Sequence, residues 1–230
     1  PLQKSLNKID AVTSVEDLQN LLAENPTEIS SPFFGLSVYS DPDNSDINVS
    51  YIGTEGLGLP ERDYYLKDDQ DSKETREKYV EYITEMLQYI DIEKSQAKEQ
   101  AKQILALETR LAKPRLSKEE RRDFRNFNNR YAIEDVKQEI ASINWKKYIK
   151  NLGVEKVPDT VLVTQPKYFN ELDKMLSEGN VEDWKMLMRW HTLNDAAGQL
   201  TTELNEKKWG FYSQYLRGAK KQRPLDERAL

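Results

Sequence analysis

Gly56-Leu57-Gly58-Leu59-Pro60-Glu61-Arg62-Asp63-Tyr64-Tyr65 divides this chain into two kinds of sequence. Before it lie a short helical opening and two strand-like runs, and after it apolar residues recur with the 3.6 period of helices almost to the end. Its glycines admit backbone conformations closed to other residues, and Pro60 sets one dihedral where a helix can begin. Read by itself, the stretch is a structural corner feeding a short polar helix. Its two tyrosines, arginine and acids also suit a binding loop.

On the N-terminal side, Leu2–Asp10 reads as the tail of a helix. Ser14 opens a capping pattern, with Asp17 in the place of the usual Glu, and Val15, Leu18, Leu21 and Leu22 form a stripe that ends at Asn25-Pro26. Phe34–Tyr39 and Ile47–Ile52 flank a turn-rich Asp41-Pro42-Asp43-Asn44-Ser45-Asp46, which predicts a β-hairpin.

On the C-terminal side, a helix is expected from about Lys73 to Asp91 and another from Lys94 to Ala112, stopped by Pro114. Glu108 lies on the apolar stripe of the second, so it is expected to be buried and paired with Arg110, Arg115 or Arg122. Ser117-Lys118-Glu119-Glu120 has the capping-box pattern and is expected to open a short charged helix. There Arg121, Arg122, Arg125 and Arg130 interleave with Phe124, Phe127 and Tyr131, a polar seam and a candidate contact surface. Ile133–Ile140 and Asn144–Leu152 read as short helices, the second closed by Gly153. Pro158–Val163 is extended. Gln165-Pro166 opens a helix ending at Gly179, and Asn180 caps what reads as the longest helix, with Trp184, Leu187, Met188, His191, Leu200 and Leu204 inward. Helical signal continues to Gly218, and Ala219–Leu230 is charged and read as a fraying end. The fold class is mainly α, a multihelical domain with a small β-hairpin near the N-terminus.

Composition narrows the function. Of 230 residues, 37% are hydrophobic and 32% charged, and 22 aromatic side chains can anchor a core. A net charge of -6 argues against a nucleic-acid binder, which concentrates Lys and Arg. No apolar run is long enough to span a bilayer. The chain opens on Pro1, which reads as an excised piece. The absence of cysteine excludes thiolate chemistry and disulfides. His191 is the one histidine; its i,i+4 neighbour Asp195 is its expected partner. There is no His-Glu-x-x-His, no Gly-x-Ser-x-Gly and no phosphate loop. No catalytic, cofactor-binding or metal-binding residue is therefore assigned.

The corner also carries a resemblance. Leu57-Gly58-Leu59-Pro60-Glu61-Arg62-Asp63-Tyr64-Tyr65 is similar to the Leu-Gly-Leu-Pro-x-Arg-Asp-Tyr-Tyr segment of the neprilysin-like zinc endopeptidases, the M13 peptidases, which include bacterial oligopeptidases. Leu107-Glu108-x-x-Leu111-Ala112, and Leu187-Met188-Arg189-Trp190 followed by Asp195, resemble two further family helices, and the likeness runs through all 230 residues. It implies that residues 1–230 form the non-catalytic, cavity-enclosing helical domain. The partners implied are the catalytic domain of the same parent chain and peptide substrates in the shared cavity. Zinc is implied in that catalytic domain and not here, so the chain alone is expected to be inactive. The missing cysteines fit a bacterial, extracytoplasmic member: periplasmic, secreted or a lipoprotein. The alternative is a helical peptide-binding or interaction module that has lost the catalytic half.

Overall fold

Asn180 and the sequence behind it form the most buried helix of the molecule. In the computed structural model, which describes residues 2–222, Asn180 accepts the Glu182 amide at 3.0 Å and starts a helix over Val181–Ala196. Ten of its residues between Trp184 and Asn194 are buried, on every face. A helix buried all round belongs in the centre of its domain, and the rest of the chain wraps it.

In chain order the helices are α1 (Leu2–Asp10), α2 (Val15–Glu24), α3 (Arg62–Leu66), α4 (Gln70–Leu87), α5 (Lys94–Ala112), α6 (Trp145–Asn151), α7 (Pro166–Glu178), α8 (Val181–Ala196) and α9 (Thr202–Trp209), which runs into a π-helical turn at Gly210–Tyr215. The strands are β1 (Phe34–Ser40), β2 (Asn48–Thr54), β3 (Arg130–Ala132) and β4 (Thr160–Val163). α1, α4 and α5 pack directly on α8. Side-chain caps start the helices where expected at Ser14, which accepts the Asp17 amide at 3.0 Å, and at Asn144, which accepts that of Lys147 at 3.0 Å. α4 starts ahead of the expected Lys73, because Asp69 accepts the Ser72 amide at 2.9 Å. The α4 segment ends in a turn with Asp91 at φ 61°, and α6 is closed by Gly153 at φ 85°, the left-handed termination that favours glycine.

The mainly helical class and the hairpin stand as expected, with β1 antiparallel to β2 from Phe34 opposite Thr54 to Ser40 opposite Asn48. The hairpin, however, is half of a four-stranded sheet ordered β1-β2-β4-β3. β4 runs parallel to β2 and antiparallel to β3. Val161, Leu162 and Val163 are fully buried, as a central strand covered on both faces requires.

Three local expectations are corrected. Ile133–Ile140 is not a helix but holds a single 3-10 turn, Val136–Gln138, because Ile133 is held by the Asp159 carbonyl as the chain leaves β3. The charged segment after Ser117 likewise forms only two 3-10 turns. The helix at Asn180 is not the longest: it stops at Ala196, and α5, with 19 residues, exceeds its 16. The expected fraying end lies partly in 223–230, outside the described residues. Among those described, no helix is long and apolar enough to cross a membrane.

The loop between β1 and β2 is tied to β3 by Asp41, which accepts from Arg130 at 2.8 Å and from the Asp43 amide at 2.9 Å. The Arg130 hydrogen bond first, then the Asp43 amide, holds the Asp41 carboxyl below its ordinary pKa of 3.8. Such a group stabilises the fold above 3.8, and that contribution is lost as pH falls through its depressed folded value. Asp41→Asn should lower the urea midpoint at neutral pH, and the gap to the parent protein should close below pH 3.8. A gap independent of pH would show that the carboxylate charge is not the tie.

Candidate functional site

The corner is fastened by one carboxylate. Glu108, on the inward face of α5, is 0% exposed. Its Oε1 accepts the Gly58 amide at 3.2 Å and lies 2.7 Å from His191 Nε2; its Oε2 accepts the hydroxyls of Tyr65 at 2.8 Å and Tyr79 at 2.9 Å. A second ring of bonds fixes the donors: the Leu59 amide donates to the Tyr65 hydroxyl at 2.7 Å, and Trp190 Nε1 donates to that of Tyr79 at 3.0 Å. Loop, α3, α4, α5 and α8 therefore meet at one charge. Burying a carboxylate costs several kcal/mol in practice, and here four donors offset that cost.

This corrects two expectations. Glu108 is buried, but its partners are not arginines. Arg110 leaves α5 on the other side and pairs with Glu171, while Arg115 donates to the Glu55 carbonyl at 2.6 Å and lies over the Tyr168 ring at 4.9 Å. His191 bonds Glu108 and not Asp195, because His191 points into the core whereas Asp195 stays exposed. Tyr65 stands in the corner and Trp190 in the Leu187–Trp190 motif, but sequence assigns neither them nor Tyr79 to Glu108. The legible signal was a hydroxyl or indole on an apolar stripe, which needs a polar partner once buried.

Gly58 owes its identity to space. A Cβ there would lie 1.5 Å from the Tyr79 hydroxyl, whereas one on Gly56 would meet nothing within 4 Å. Neither has a positive φ; among described glycines only Gly153 and Gly218 do. The glycine at the cage is thus a close-approach residue, not a conformational one.

Outside the cage, the corner lines a surface cavity of about 270 Å³ with Thr54, Glu55, Arg62, Arg115, Arg121 and Gln165. Gln165 joins its walls, accepting the Leu116 amide at 2.8 Å and donating to Thr54 at 3.1 Å. Arg121 is ion-paired with Glu61. Burial raises the Glu55 carboxyl, against the opposing pull of Arg115.

None of this fits zinc. Among the described residues no group of three His, Asp or Glu side chains is placed to hold a metal ion. The Glu108–His191 pair is ringed by hydrogen-bond donors, a setting for an anion rather than a cation. Of the residues weighed for chemistry, the fold brings Glu108 and His191 together and leaves Asp195 apart. In the arginine–aromatic seam Phe124 is 62% exposed, while Arg125 pairs with Asp123 and Arg130 with Asp41 and Asp43.

Comparison with known proteins agrees with this geometry. Residues 1–230 match the N-terminal description of peptidase family M13. The chain is 25% identical over 235 residues to a neutral endopeptidase of Lactococcus lactis, covering 100% of this chain and 36% of that protein. Over 184 residues it is 27% identical to membrane metallo-endopeptidase-like 1 of Mus musculus, covering 74% and 24%. Its fold superposes on the zinc metalloprotease Zmp1 of Mycobacterium tuberculosis in an open state with a TM-score of 0.90 at 28% identity, covering 99% of this chain and 35% of the other. A partial open state of that protease gives a TM-score of 0.74. The chain belongs to peptidase family M13. It is the family's N-terminal, non-catalytic part, and spans about a third of the length of the relatives it matches end to end.

Gly58→Ala should destabilise by about 1–3 kcal/mol through overpacking against Tyr79, while Gly56→Ala should stay within about 0.5 kcal/mol; urea unfolding of the two compares them directly. The cage also predicts an alkaline weakness. Burial, and next the Glu108 charge, raises the Tyr65 and Tyr79 phenols well above 10.0. Above pH 10 the unfolded chain releases these protons and the folded chain keeps them, so stability falls as pH rises. Ultraviolet titration should show these phenols ionising only with unfolding, and Tyr79→Phe should reduce the slope.

Proposed function

We propose that this chain is the substrate-enclosing part of a zinc metalloendopeptidase that hydrolyses peptides and small polypeptides. The observation that carries the reading is the end-to-end likeness to one third of such enzymes, joined to a fold whose buried polar centre is built for rigidity. A rigid helical body does no bond-breaking. It closes over a reaction chamber, limits what enters by size, and shelters the reacting groups from water. A relative has been solved in open and partially open states, which supports a chamber that opens and closes. The Glu108 cage suits that role, because it locks four helices and the corner into one piece. Zinc belongs to the catalytic region, and no residue described above takes part in holding it. The parent enzyme works outside the cytoplasm, as a periplasmic, secreted or lipid-anchored protein.

The 230-residue chain alone should show no chelator-sensitive cleavage of a short fluorogenic peptide. Joined to a catalytic region carrying His-Glu-x-x-His, it should cleave short peptides and spare folded proteins. Chelator-sensitive cleavage by the pure 230-residue chain would overturn the assignment.

A further inference from the structure

The two edges of the sheet are treated differently. The β3 edge is three residues long and carries Arg130, held by Asp41 and Asp43. The β1 edge is seven residues long, Phe34-Gly35-Leu36-Ser37-Val38-Tyr39-Ser40, with neither charge nor proline. Natural edges are normally guarded by such residues, by bulges or by a covering element. The outer half of β1 has none of these: Val38 is 58% exposed, Tyr39 66%, and Ile47 beside them 52%.

The register fixes which groups are free. The Asp41 amide donates to the Ile47 carbonyl at 2.9 Å, so the pair at 41 and 47 is a hydrogen-bonded one. Alternation along an antiparallel ladder then turns residues 35, 37 and 39 toward β2, and 34, 36, 38 and 40 away from it. Thr164 donating to the Ile52 carbonyl on the β4 side of β2 agrees with this phase. At one end Ser31 closes the outward edge, its hydroxyl donating to the Phe34 carbonyl at 2.8 Å and accepting the Phe34 amide at 3.2 Å. At the other, the Ser40 carbonyl accepts from Tyr51 at 3.2 Å. Between them, the amides and carbonyls of Leu36 and Val38 have no partner among the described residues. So does the Ser40 amide.

We propose that β1 receives an extended peptide as an added antiparallel strand, which deepens and rests on the peptide-enclosing reading above. Five residues of peptide, roughly 17 Å at 3.4 Å each, match the open stretch from Leu36 to Ser40. Main-chain bonds to Leu36 and Val38 supply binding that is indifferent to sequence. Val38 and Tyr39 favour apolar side chains in the incoming segment. Charge selects its end: Asp41, Asp43 and Asp46 lie in the hairpin tip, where Arg130 pairs with Asp41 and Asp43. An antiparallel peptide places its N-terminal residue beside that tip, and a lysine there is complementary.

The test is NMR titration of the 230-residue chain with acetyl-Lys-Val-Thr-Val-Thr-amide, alongside the same peptide N-methylated at alternate amides. The Leu36, Val38 and Ser40 amides should shift and become protected from exchange with the first peptide and not with the second. Val38→Pro places proline where an edge strand tolerates it and should weaken binding about tenfold, as loss of a backbone bond plus a clash. Val38→Lys should do the same, both with the parent's thermal midpoint. Unshifted amides, equal binding by the methylated peptide, or undiminished binding by both variants would each overturn the proposal. So would a concentration-dependent dimer that the peptide cannot displace, since the edge would then belong to a second copy. If activity appears on joining the catalytic region while β1 stays empty, this inference falls and the enclosing function stands. If the peptide binds β1 but joining restores no activity, the enclosing function falls.

Discussion

A buried carboxylate tolerates no slack. Glu108 is sealed from water, so each of its lone-pair directions must be met by a donor at hydrogen-bond distance, and the donors come from Gly58, Tyr65, Tyr79 and His191. Leaving one unmet would cost about 1–3 kcal/mol, enough to matter in a domain whose net stability is of order 10 kcal/mol. This one requirement fixes how the corner lies on α5, how α4 approaches it, and the rotation of α8. The close approach that makes Gly58 necessary is a consequence, since only a residue without Cβ lets the loop amide reach Glu108 past the Tyr79 hydroxyl.

From that centre the rest follows in layers. Tyr79 and Tyr82 stack with Phe211 of the π-helical turn, and Trp190 meets both tyrosines edge-on. The aromatic cluster thus joins the last helical segment to α4 and α8. The sheet is attached on the other side, through β4 and through Tyr168, whose hydroxyl donates to the Phe33 carbonyl at 2.7 Å. Because β2 and β4 are parallel, the chain between them must cross over, and α3 to α6 with β3 are that crossover. The hairpin is therefore held by the whole body, and only its outer edge projects from it.

Sequence made the helical body, the hairpin, most caps and the burial of Glu108 legible, because each depends on spacing within about a dozen residues. Ser14, Asn144, Asn180 and Gly153 do what their types predict at helix ends. The misreadings have a common cause. Ile133–Ile140 has helical spacing, but a tertiary bond to Asp159 captures its first residue. β3 is three residues long and exists because β4 lies beside it.

The glycine–proline corner and its double tyrosine determined, by composition and order, where the β-region gives way to helices and which family the chain resembles. They could not say why Gly58 must be glycine, or that Tyr65 reaches the same acid as Tyr79. Periodicity places a side chain on a face but does not name what waits opposite. Glu108 had Arg110 and Arg115 nearby in sequence, and His191 had Asp195 one turn away. The tertiary structure instead paired Glu108 with His191, 83 positions apart, because the buried faces of α5 and α8 meet while the arginines and Asp195 remain where water can solvate them.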